Sequence, residues 1–191
     1  MRPPSILPFP SSLSLPFLLS LALAAANTLN ITVITTQNNH STLECWALEP
    51  GFQTSSQAGT SGTQVLNLGP IGGAGASAGV SSNASYTVLP PGFDGGRHNA
   101  PAKQWVIFLT GLAHITLPNT TTSSKTEAWI TGGKYGTILA LDTPDVSVWG
   151  HITRYPSDQE TVALQIPLNE ERVPGHAVLY EGGCVEEEVS G

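Results

Sequence analysis

The hydrophobic positions of this chain come in short runs, and none falls on the 3.6-residue period of an amphipathic helix. "QWVIFLTG" and "LAHITLPN" are apolar runs of strand length, as are "EAWITGG", "GTILALDTP", "ETVALQIP" and "HAVLYEGG". Each is bounded by Gly, Pro, Asn or Asp, the residues that end a pleated run. "TLECWALE", Thr42 to Glu49, reads as an earlier strand stopped by Pro50-Gly51, and "ASYTVLPPG" and "WGHITRYP" as two more. The short join at Thr110-Gly111 predicts a hairpin. Many short strands at even spacing predict an all-β domain, an antiparallel sandwich or barrel.

Strand parity then places side chains on faces. From Gln104 onward, Gln104, Val106 and Phe108 share one face, read as the inner one, with Trp105, Ile107 and Leu109 on the other. Trp149 shares parity with His151, so it is expected to line the interior with Val106 and Phe108 as a ligand pocket. Trp46 and Trp105 are expected to fill core space. The outer apolar row Trp105, Ile107 and Leu109 predicts a homodimer.

Between these strands lies a stretch of different texture. Residues 52–83 are rich in Gly, Ser, Ala and Thr and read as a long loop, with one short strand around Gln64 to Leu68. Its "GASAG", Gly75 to Gly79, has the form of a nucleophile elbow with Ser77 in place, and "GAGASA", Gly73 to Ala78, resembles a dinucleotide fingerprint. Both need a strand running in and a helix running out, and neither is predicted here. No nucleotide cofactor is expected.

The ends of the chain change the picture further. "LPFLLSLALAAA" closes on Ala24-Ala25-Ala26, so residues 1–26 read as a signal peptide and the domain as 27–181. The short apolar length and five prolines argue against a membrane helix. Four N-x-S/T sequons follow, at Asn30, Asn39, Asn83 and Asn119, as expected of a secreted, N-glycosylated surface. The two cysteines, Cys45 and Cys184, are expected to pair in an oxidising compartment. The formal charge is −7, and losing Arg2 with the leader leaves six basic against 14 acidic residues. With no basic cluster, nucleic acid and membrane surfaces are not expected partners. Residues 182–191 read as an acidic, solvated tail.

Candidate chemistry centres on "GGRHNAPAKQ" and "VWGHITRY". His98, Gln104 and His151, brought to one barrel mouth, could hold a divalent transition metal ion with water completing the shell, although two imidazoles and an amide make a weak set. Asp142 and Asp145 could be acid/base carboxylates, but "LDTPD" reads first as a turn after a buried strand. His114 is expected to face outward; His40 lies inside a sequon and His176 starts the last strand.

The region from about Tyr86 to Pro167 resembles a cupin domain, a small jelly-roll barrel or double-stranded β-helix. The first cupin motif, G-x5-H-x-H-x3-E-x6-G, is matched by Gly92, His98 and Gly111. Ala100 stands where the second histidine would be, and Gln104 replaces the glutamate. The second motif is met loosely by Gly136 and His151. "YTVLPPGFDGGRHNAPAKQWVIFLTGLAHITLP" and "GHITRYPSDQETVALQIP" are most similar to cupin-like small secreted proteins of fungi. The resemblance implies a fold more firmly than a reaction, since that fold hosts enzymes and binders alike. Three functions follow as expectations: a small-molecule binder with a degenerate metal site, a metal-dependent oxidoreductase or isomerase, and a surface protein with no ligand.

Overall fold

The computed structural model describes residues 28–71, 83–118, 120, 123–168 and 172–185, and these are all-β, with no helix among them. The leader, the Ser77 motifs, Asn119 and the tail beyond residue 185 lie outside the described residues.

Two sheets face each other. The larger contains, in spatial order, β13 (His176–Glu181), β2 (His40–Leu48), β1 (Asn30–Gln37), β10 (Thr137–Ala140), β7 (Gln104–Thr110), β12 (Thr161–Pro167) and β5 (Ser85–Leu89). The smaller contains β6 (Asp94–His98), β11 (His151–Arg154), β8 (Leu112–Thr116) and β9 (Glu127–Thr131). A two-stranded ribbon, β3 (Gln53–Thr54) with β4 (Gln64–Val65), lies within the 52–71 segment. The middle of the chain is a nested ribbon: β8 pairs with β9, β7 with β10, β6 with β11 and β5 with β12, all antiparallel. Among the described residues both sheets keep free edges, so the barrel expected from the sequence is an open sandwich. Nor is it purely antiparallel, because β1 pairs parallel with β10 at Thr32↔Ile138.

The predicted hairpin at Thr110-Gly111 is corrected. β7 belongs to the larger sheet and β8 to the smaller, and the two do not pair. Gly111 has φ 80°, and a Cβ there would collide with Thr161, so the glycine is the corner that carries the chain from one sheet to the other.

Alternation along the strands builds two cores. Ile34, Leu43, Val106, Phe108 and Ile138 of the larger sheet meet Ala113, Ile115, Ala128 and Ile130 of the smaller to form the layer between them. Ile31, Val33, Trp46, Leu48, Trp105 and Leu139 form a second core on the outer face of the larger sheet, under Leu66 and Leu68. Trp105 is fully buried and its Nε1–H donates to the Leu68 carbonyl at 3.1 Å. The expected outer row is therefore not a free face at Trp105: the segment before β5 already covers it, and Leu109 stands exposed. Cys45 and Cys184 are joined as expected, fastening β2 to the segment after β13.

Candidate functional site

β6 ends at His98 and β11 begins at His151, and the antiparallel register sets these two residues directly opposite each other. Their rings meet edge to face with centroids 4.5 Å apart. The approach depends on Gly150, at φ 62°, where any Cβ would strike the His98 carbonyl and the Asn99 amide. Gln104, the first residue of β7, is buried and joins both histidines in the wall of a small inner cavity of ≈ 60 Å³. Val106 and Phe108 line the same cavity, as parity predicted, together with Thr153, Tyr155 and Gln165.

Trp149 does not line it. Its ring is exposed, with the Arg97 guanidinium 5.2 Å from its centroid. The left-handed Gly150 breaks the alternation, and the strand starts only at His151, so parity with Trp149 has no pleat to carry it.

His151 is the better supported of the two imidazoles. Its Nδ1 lies 2.7 Å from Asp142 Oδ2, and both side chains are buried. The same oxygen accepts from Ser41 Oγ at 2.7 Å; Ser41 Oγ lies 2.8 Å from Ser147 Oγ, which accepts the Gly150 amide at 3.0 Å. Asn99 Nδ2 closes the frame by donating to the carbonyls of Asp142 and Ser147 at 3.0 and 2.9 Å. A carboxylate only accepts, so the Asp142 contact is donated from His151 Nδ1. Asp142 Oδ1, also buried, has no hydrogen-bond partner.

His98 is exposed on its outer side and holds Nδ1 3.1 Å from the Gly96 carbonyl. Desolvation at the cavity, with repulsion from His151, holds it below the ordinary imidazole range; the Gly96 carbonyl and Asp142 oppose this in part. Burial pushes the Tyr155 phenol up to about 12, so it stays a neutral donor.

As a metal centre the arrangement is poor. His98, Gln104 and His151 are neutral donors, and the nearest carboxylate is spent on Ser41 and His151 Nδ1. Among the described residues no three His, Cys, Asp or Glu side chains are gathered to hold an ion. Of the other three histidines, His114 bonds Glu127 at 2.9 Å and stacks on Trp129, His176 stacks on Trp46, and His40 is exposed.

Sequence reasoning missed the roles of Ser41, Ser147, Asn99 and Tyr155, and took Asp142 for a turn residue. Asp145 of the same turn is exposed, whereas Asp142 is fully buried. The only signal for Asp142 was its place directly after the apolar run Ile138–Leu141, where a carboxyl needs partners.

Comparison with protein-family models, with curated proteins and with solved structures found no match to this chain.

Proposed function

We propose that this chain is a secreted, N-glycosylated cupin-like jelly roll that binds a small polar molecule at the His98–Gln104–His151 cavity and does not turn it over. The observation that carries the reading is the pairing of β6 with β11. It sets His98 of the first motif against His151 of the second, although they are far apart in sequence. The nested ribbon, β5–β8 folded back on β9–β12 in two four-strand layers, supports the jelly-roll part. The cavity supports the ligand's size: ≈ 60 Å³ is far below the roughly 300–1,000 Å³ of pockets that enclose drug-sized molecules. A few heavy atoms fit, met by imidazole, two amides, a hydroxyl and a phenol.

A second reading, a metal-dependent oxidoreductase or isomerase on the same residues, draws support from Asp142 alone. A carboxylate on Nδ1 is how proteins orient a ligating histidine. The two are separated by the metal content of protein purified without tag or chelator, followed by thermal shift against a panel of small acids, amides and polyols. The binder is expected to be metal-poor and to gain melting temperature with a panel member, a gain that His151→Ala abolishes. Near-stoichiometric metal, removed by both His98→Ala and His151→Ala, would overturn it in favour of the enzyme. Metal-poor protein that answers to no panel member would leave the domain a ligand-free surface protein.

A further inference from the structure

A second concavity lies away from the paired histidines His98 and His151. A groove of ≈ 440 Å³ opens along β9, the edge of the smaller sheet, and reaches across to the start of β1 and the Cys184 segment. Trp129 and Tyr135 supply aromatic surface, and Glu127, Lys134 and Thr137 supply polar groups around it. Trp129 is 52% exposed, and its indole is held by stacking on His114, with centroids 3.8 Å apart. The Lys134 ammonium sits 4.5 Å from the Tyr135 ring centroid. An aromatic plane ringed by hydroxyl, carboxylate and ammonium is the chemistry that receives a pyranose, whose C–H face packs on the ring while its hydroxyls bond at the rim.

The same groove contains an acceptor asparagine. Asn30, of the sequon Asn30-Ile31-Thr32, lines it and is half-buried, unlike the exposed sequon residues Asn39 and Asn83. β10 pairs with β1 from Thr32 to Ile34. Thr32 is buried, and its Oγ1 accepts the Cys184 amide at 3.0 Å. A transferase therefore cannot read this sequon in the folded protein, and any sugar on Asn30 must arrive before β1 is enclosed.

The geometry points to this groove as the seat of an N-linked glycan on Asn30, its first N-acetylglucosamine packed against Trp129 and Tyr135 and covering the open edge of the sandwich. The inference rests on the secreted, glycosylated reading above. In the modification, Asn30 Nδ2 displaces a lipid-linked diphosphate from C1 of the sugar. The C1–O bond breaks with its electron pair, the C1–N bond forms, and one amide proton passes to solvent. The chain then folds around the attached sugar, and the groove is its exit.

The test uses the chain secreted from eukaryotic cells, with glycopeptide mass spectrometry and a time course of glycoamidase digestion under native conditions. Asn30 is expected to be occupied and its glycan to resist release while the Asn83 glycan is removed; unfolding and reduction should make all sites equally labile. Trp129→Ala, which leaves the sequon intact, should speed native release from Asn30 by about tenfold if stacking holds the sugar. Occupancy at Asn39 or Asn83 with Asn30 empty overturns the inference and leaves the secreted reading standing. So does native release from Asn30 as fast as from Asn83, or a rate that Trp129→Ala leaves unchanged. A chain without glycan at any sequon overturns both.

Discussion

Replacing Asp142 by alanine tests whether the buried frame behind His151 is what holds the site. The carboxylate is fully buried, and one oxygen accepts from both Ser41 Oγ and His151 Nδ1 at 2.7 Å. Hydrogen bonds to a charged group contribute about 1.5–3 kcal/mol each, so losing both costs about 3–6 kcal/mol. The loss is expected toward the lower end, about 3 kcal/mol. Ser41 keeps its contact with Ser147, and the unpartnered Oδ1 is relieved of its burial. Against a whole stability of about 5–15 kcal/mol this is large. With a urea slope of roughly 2 kcal/mol per molar, the midpoint should fall by about 1.5 M, measured with the disulfide intact. Ser41→Ala should cost about 1 kcal/mol, and the double variant should cost clearly less than the two combined, because they share one bond. Ligand or metal affinity at His151 should drop about 10–100-fold once nothing orients the ring. A loss below about 1 kcal/mol, or strict additivity, would refute the frame.

Three further outcomes follow from the same geometry. His98 has its pKa lowered in the fold from an ordinary 6.5, so the unfolded chain takes up its proton first as pH falls. Stability should be lost from pH 6.5 downward through the lower folded value, and His98→Asn should flatten that slope relative to wild type in pH-dependent urea titrations. Gly150→Ala should separate β6 from β11 and abolish ligand response, with loss of stability by thermal melting; unchanged binding would show that the close approach is not needed. Replacing Cys45 and Cys184 together by serine opens a closure of 139 residues, for which chain entropy sets an upper figure of about 5 kcal/mol in denaturant titration.

What the sequence revealed was decided by how many faces of a strand are buried. Where one face meets a core and the other meets solvent, as in β9, the alternation was plain. β1 was missed because Ile31 and Val33 feed the outer core while Thr32 and Ile34 face inward, so no alternation shows. β6, "DGGRH", carries no apolar residue at all, and only its pairing with β11 makes it a strand. His98, Gln104 and His151 were legible as a group through the motif spacing, and Val106 and Phe108 through parity. Trp149 was misplaced because a left-handed glycine resets parity, which residue type alone does not announce. Asp142 and its serine partners come from three separate stretches of chain, and nothing local in any of them points to the others.

The nested ribbon also dictates when the molecule can exist during its own synthesis. β8 and β9 are joined by residues 117–126 and can meet early, but each further pair encloses the one before, so the loop to be closed lengthens outward. β5 waits for β12, and β2 waits for β13. A nascent chain halted at residue 150 would have β6 without β11, β5 without β12 and one side of β2 bare. The core around Ile31, Val33 and Trp46 would then lack Ile166 and Leu168, and Trp46 the His176 ring that stacks on it. Pairings this remote place refolding on a millisecond-to-second scale and leave sticky edges exposed meanwhile. The fold is thus completed only once β12 and β13 have been made.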